Sequence, residues 1–289
     1  MTAQSSATHP TAVTAGRGAG LALGALGVFA FSMSLPATRV AVQDLDPWFV
    51  AFGRAVGAAL LAYAYLRFTG APPPTRGQWR RLAIVALGVV VGFPLFTSLA
   101  LTTQTSAHGA VVITVLPAAS GAVHGAPSLA DLFLLAAVVL CGLGYAEGGV
   151  LARELGGART ICWALLLSLP ATVPIAVVAA VARPPQADAV VWSAFGYLTV
   201  ISMFLGFFAW YAGLARGGIA KVGQIQLAQP VLTLIWSALL LGETVTQASV
   251  VSAVVVLACV VLTQRTRAGR ARSQLTPGPR PAPVRGSCR

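Results

Sequence analysis

Charge is what this chain has least of. Lys, Arg, Asp and Glu make up 9% of its 289 residues, and only seven of these are acidic. A soluble domain carries about 25% charged residues, which excludes a molecule wrapped in water on all sides. The four cysteines (Cys141, Cys162, Cys259 and Cys288) form no CxxC pair. Three of them lie in apolar runs, where they read as small hydrophobic residues. The three histidines, His9, His108 and His124, have no partner at metal-ligand spacing, so no metal is expected. No GxxxxGK[ST] loop occurs, which argues against ATP as a driving force, and no cofactor is implied. No set of nucleophile, base and orienting group can be assembled, so the chain does not read as an enzyme.

What is present is apolar: 57% hydrophobic residues and a mean hydropathy of +0.81. Apolar runs of about 17–25 residues recur, which predicts membrane-spanning helices rather than an outer-membrane barrel. The fold class expected is an all-α integral membrane protein. About nine helical segments can be drawn, at 20–38, 48–66, 82–101, 107–123, 129–151, 161–181, 190–214, 217–243 and 245–262. Residues 1–16 are polar and read as a disordered cytoplasmic tail, and the Arg/Pro-rich stretch 266–289 as a second one. Arg17 followed by the run from Gly20 imitates a signal peptide. The run continues to Ala37 without a cleavage pattern, so it reads as an uncleaved first span. The net charge of +12 sits mostly in short connections and the tail, where the membrane explains it better than nucleic acid does.

The stretch 217–243 organises the rest. It carries Lys221, Gln224, Gln226 and Gln229 in its first half and Pro230 at its middle. Pro230 cannot donate to the Gln226 carbonyl, which leaves a polar, loosened point at membrane depth. Polar groups at that depth face a bundle interior or a water-filled cavity, so Gln226, Gln229 and Pro230 are substrate-pathway candidates. Glu147 in segment 129–151 is a further candidate, as a carboxylate able to couple a proton, with the interface near Arg153 as the alternative. Trp210 and Tyr211 could wall an amphipathic substrate or join an interfacial aromatic belt. Gln104 and His108 flank a turn and could gate entry. Lys221 should snorkel to a helix end. Arg54 is expected to reach outward toward Asp44 or Asp46, with substrate contact as the alternative, and Glu243 to be a turn or outer-face residue.

The two halves repeat. Gly92-Phe93 and Gly206-Phe207 each lead through a turn into Ala107…Pro117 and Ala220…Pro230, ten residues apart in both cases. The offset between copies is 113 or 114. Residues 17–128 form the first copy and 129–265 the second. After Pro230 the second copy runs about 32 residues further, to Leu262, whereas only eleven residues follow Pro117 before the next segment. The fourth segment is therefore short and a fifth is absent. With a cytoplasmic N-terminus and ten alternating spans restored, 16 of the 19 Lys and Arg fall on the cytoplasmic side. Without rearrangement, eight full spans plus a short or re-entrant 107–123 is the expected count. Small-xxx-small pairs at Gly53/Gly57, Gly88/Gly92, Gly144/Gly148 and Gly213/Gly217 predict close helix packing.

These pieces together resemble the EamA-type branch of the drug/metabolite transporter superfamily. The resemblance is carried by Pro36-Ala37-Thr38-Arg39, Phe52-Gly53-Arg54, Trp210-Tyr211-Ala212-Gly213-Leu214-Ala215, Gln229-Pro230 and Leu241-Gly242-Glu243. It implies two inverted five-helix repeats (a ten-helix architecture), both termini cytoplasmic, and a multi-pass protein of the cytoplasmic membrane. It also implies alternating-access transport, usually export, of an amino acid, another small metabolite or a drug. The partners implied are a small-molecule substrate and the lipid bilayer, with a homodimer possible. The alternative is a transport-incompetent truncated paralogue or membrane scaffold.

Overall fold

The computed structural model describes residues 11–115 and 128–243, and the regular structure among them is entirely helical. Seven helices there are long and apolar enough to cross a membrane. Segment 245–262, the Arg/Pro-rich tail and the end of segment 107–123, including Pro117, lie outside the described residues.

The first span is two helices end to end, α1 (Thr11–Ser32) and α2 (Ser34–Asp44), with a break at Met33. It starts within the stretch expected to be a polar tail, and it runs past Thr38 to Asp44. Pro36 explains the break, because it has no N–H to offer the carbonyl of Ser32. That freed carbonyl accepts the Thr233 hydroxyl at 2.7 Å instead. Asp46 then caps α3 (Pro47–Thr69), accepting from the amides of Trp48 (2.9 Å) and Phe49 (3.3 Å). Asp46→Ala should cost about 1 kcal/mol, read as a lowered melting temperature in detergent. Asp46→Asn should restore most of it, and an unchanged melt for the alanine variant would contradict the cap.

The third span joins α4 (Arg76–Val85) to α5 (Phe93–Ala100) through the π-helical stretch Ala86–Gly92. The amide of Phe93 reaches back five residues to the Gly88 carbonyl. After a turn, α6 begins at Ser106 and is described as far as Val115. The second half begins with α7 (Leu129–Leu155) and α8 (Gly157–Ala182), the latter carrying Pro170 and Pro174 inside it. Then α9 (Ala189–Gly196), the π-helical stretch Tyr197–Leu205 and α10 (Gly206–Gly217) form one span. The last described span is α11 (Ile219–Gly223), a 3₁₀ turn at Gln224–Ala228 and α12 (Gln229–Leu241).

The internal repeat is visible in the backbone. The two π-helical stretches fall at matching positions, each directly before the Gly-Phe or Phe that the sequence aligns. Each copy's first helix packs on the other copy's π-bearing span: α1 along α10, and α7 along α5 and its π stretch. Small residues allow this. A Cβ on Gly213 would lie 2.6 Å from the amide nitrogen of Gly24, and one on Gly144 2.8 Å from the Val89 side chain. On the outside, Phe68 is 90% exposed and Leu60, Val178 and Leu239 are exposed too, as suits a lipid-facing surface.

The short connections sort the charges. Arg67, Arg76, Arg80, Arg81, Arg153, Arg159, Arg216 and Lys221 lie at or near one end of the bundle. Asp44, Asp46, Asp131, Asp188 and Glu243 lie at the other. We call these the basic and acidic ends.

Candidate functional site

A small cavity lies inside the bundle where the two copies meet. Phe31 and Ser34 come from the first span, on either side of the Met33 break, and Cys141 and Tyr145 from α7. Val89, Phe93 and Pro94 come from one π-bearing span, and Ser202, Met203 and Phe207 from the other. Arg54 on α3 and Gln229 at the start of α12 complete it. About 20 Å3 of it is open to the centre of a water molecule, room for one or two waters.

The lining obeys the repeat. An offset of 114 turns Phe31 into Tyr145, Val89 into Met203 and Phe93 into Phe207, and all six face the same space. Phe31 and Tyr145 stack with ring centroids 6.4 Å apart at 20°, and Phe31 meets Phe207 at 4.8 Å. Polar groups are few. The hydroxyls of Ser34 and Ser202 share a 2.7 Å hydrogen bond. Gln229 donates to the Phe31 carbonyl at 3.4 Å and accepts from the amide of Gln226. The side-chain oxygen of Gln226 is buried without a partner.

Arg54 is the exception to the repeat and the correction to the sequence reading. It was expected to reach outward to Asp44 or Asp46. Instead it is 2% exposed, lines the cavity, and has a buried Nε without a partner. An offset of 114 gives Ser168, whose hydroxyl simply bonds the Leu165 carbonyl of its own helix. The fold therefore does not demand a cation at this position.

The other residues singled out from sequence fall in different places. Gln229 lines the cavity, Gln226 contacts Gln229, and Pro230 is buried directly after the 3₁₀ turn. Glu147 does not line it: its carboxylate accepts from Arg81 Nε at 2.8 Å, and Arg81 Nη1 also donates to Glu154 at 3.0 Å, near the basic end. Trp210 and Tyr211 are not interfacial. They are 1% and 0% exposed, because α10 is sandwiched between α1, α7 and α8. Trp210 packs on Phe31 and Tyr145, one layer behind the cavity, and the Tyr211 hydroxyl donates to the Gly144 carbonyl at 3.1 Å. Gln104 sits half-buried in the turn before α6, and His108 pairs with Asp131 at 2.9 Å. Lys221 is exposed at the basic end.

The acidic end is tied shut by other groups. Arg39 donates to the Leu101 carbonyl at 2.6 Å. Glu243 is no free turn residue, since it accepts from the amides of Ser106 and Ala107 at 3.1 and 3.0 Å and from the Ser106 hydroxyl at 2.8 Å.

The model of the EamA-like transporter family matches residues 18–123 and 128–265. The chain belongs to this family. The sequence is also 39% identical to "Uncharacterized transporter YdeK" of Bacillus subtilis (strain 168) over 282 positions, covering 84% of this chain and 96% of that protein. Since 84% of 289 residues is about 243, about 39 of those positions carry no residue of this chain. A solved structure described only as a crystal structure of a protein superposes with a TM-score of 0.61 at 15% identity. The match covers 88% of this chain and 99% of that one, and it speaks for the fold alone. The two family matches fall one on each half, as the Phe31/Tyr145 and Phe93/Phe207 pairs do.

Proposed function

We propose that this family member is a secondary carrier of a small organic metabolite, and that it exports its substrate by alternating access through the cavity between the two copies. One observation carries this reading. The cavity is built from matched residues of both copies at the point where both π stretches and the Met33 break interrupt regular helix. Such interruptions supply the bistable backbone that a carrier needs. Ties at both ends, Arg81 with Glu147 and Glu154 at one and Glu243 with Ser106 at the other, would have to part in turn. The crowding of cations at the basic end supports placing that end, and with it the N-terminus, in the cytoplasm of a cell bounded by this membrane.

The test is uptake into proteoliposomes of purified protein, with a panel of labelled amino acids and organic acids. Saturable accumulation of at least one solute is expected, with Gln229→Ala lowering it several-fold while the protein still elutes as a single species. A second reading, a carrier homologue that no longer transports, is favoured by the roughly 39 unmatched positions of the relative. Well-folded protein that moves no solute of the panel would establish that reading and end the first.

A further inference from the structure

Burying an arginine in the middle of a membrane protein is costly, and the cost is met by a carboxylate, by backbone carbonyls or by water. Among the described residues Arg54 has none of the protein partners. All seven side-chain carboxylates of the chain lie among the described residues, and each is placed elsewhere. Glu147 and Glu154 hold Arg81, Asp131 holds His108, and Glu243 holds the start of α6. Asp46 and Asp188 cap helices, and Asp44 is exposed at the end of α2. No hydrogen bond from Arg54 to any described residue exists, although it is 2% exposed. One or two waters fit beside it, but they leave its charge uncompensated. Nothing among the described residues balances that charge, which leaves room for a partner from outside the chain.

We infer that Arg54 is the counter-charge for a carboxylate on the transported solute, and therefore that the substrate class is small organic monoanions. The inference rests on reading the cavity as the substrate's. Arg54 is the one cation among the lining residues, which matches a single negative charge; a phosphate dianion would call for a second. The guanidinium fork offers two parallel donors to one carboxylate. Around it, the Ser34 and Ser202 hydroxyls and Gln229 add neutral hydrogen-bonding groups, while Phe31, Tyr145 and Phe207 face an apolar frame. An amine or other cationic solute would meet Arg54 with like charge and no carboxylate to offset it.

Equilibrium binding tests this without requiring transport. Three probes share one carbon frame and differ in charge: phenylacetate, phenylacetamide and phenethylamine. Each is titrated into purified protein in detergent at fixed pH, following the intrinsic tryptophan fluorescence, since Trp210 packs on two lining residues. Phenylacetate should bind at least about tenfold more tightly than phenylacetamide, the scale of one hydrogen bond to a charged group. Phenethylamine should not bind measurably. Arg54→Gln should bring the acid and the amide to within about twofold of each other, and Arg54→Lys should restore part of the difference. The ligand-free melting temperature of Arg54→Gln should equal or exceed that of the native protein, because the variant removes an unpaired buried charge. A fall in that temperature would instead mark Arg54 as structural. Equal affinity for acid and amide in the native protein, discrimination that survives Arg54→Gln, or competition by chloride or inorganic phosphate at the same concentration as phenylacetate would each overturn the inference. Failure of uptake in liposomes with carboxylate binding intact would overturn the transport reading and leave Arg54 as a carboxylate-binding site of a protein that does not transport.

Discussion

Replacing Gly213 with leucine is expected to leave little folded protein. Gly20 and Gly24 on α1 face Gly213 and Gly217 on α10, and the two backbones touch. A Cβ on Gly213 would lie 2.6 Å from the Gly24 nitrogen, 2.9 Å from its Cα and 3.0 Å from the Gly20 oxygen. The obstructing atoms are main chain, so no rotamer change can clear them, and the helices would have to separate. Even modest insertions into a packed interior cost about 1–3 kcal/mol, against a total stability of about 5–15 kcal/mol. Between membrane helices this close packing is itself the driving force, because lipid solvates apolar side chains as well as a neighbouring helix does. A leucine therefore removes the contact as well as straining it. Size-exclusion profiles and melting temperatures check this. Gly213→Ala should melt several degrees low and Gly213→Leu should aggregate. Gly142→Ala is the control: its Cβ would meet nothing within 4 Å, and alanine is the better helix former by about 1 kcal/mol. A Gly213→Leu protein that melts with the native one would refute the proposed crossing.

The glycine pairs show how far the sequence can be read. Gly88/Gly92, Gly144/Gly148 and Gly213/Gly217 are legible as close-packing motifs. Which pair meets which is not, because the choice of partner is a property of the tertiary arrangement. The repeat goes further. The offset of 114 is present in the sequence, and applied to aromatic residues it would have picked out Phe31 with Tyr145 and Phe93 with Phe207. Polar residues stand out in apolar runs, whereas an apolar lining does not differ from the lipid-facing residues around it. Arg54 was misread for a related reason. Its position along α3 gives its depth, about two turns from the Asp46 cap, but not the side of the helix it occupies. A carboxylate two turns away looked like a partner, yet Asp46 is committed to the amides of Trp48 and Phe49. Trp210 and Tyr211 close a span, a level that aromatic residues favour, so the sequence leaves both a substrate wall and an interfacial belt open. Packing against α1 and α7 buries them instead.

Glu243→Ala should unlock the acidic end, with the second-largest effect we expect. Helix α6 begins with amides that have no intrahelical acceptor, and its first residue, Ser106, is fully buried. The Glu243 carboxylate satisfies two of those amides and the Ser106 hydroxyl together, and its charge opposes the positive end of the helix dipole. The Ser106 and Ser237 hydroxyls lie 2.8 Å apart, so that one of the two protons they hold is shared between this contact and Glu243 or the Thr233 carbonyl, and Thr233 and Trp236 bond the carbonyl and hydroxyl of Ser32. One chain of hydrogen bonds thus joins α12, α6 and the broken first span across the boundary between the copies. The reciprocal tie is lacking: α11 starts at Gly218 without a side-chain cap. That carboxylate would have come from the turn after the first copy's fourth segment, which the sequence does not contain. Among the described residues Glu243 is the one carboxylate that holds the amides of a helix from the other copy. Removing it leaves two buried amides unpaired, a loss of about 2–4 kcal/mol, while the Ser106 hydroxyl keeps Ser237 as a partner. Hydrogen exchange reads this locally: the amides of residues 106–110 should lose protection in Glu243→Ala, while those of α3 and α8 keep theirs. Glu243→Gln, which retains one acceptor oxygen but no charge, should fall between. Uniform loss of protection across all helices would instead mean that Glu243 supports the whole fold rather than one end of it.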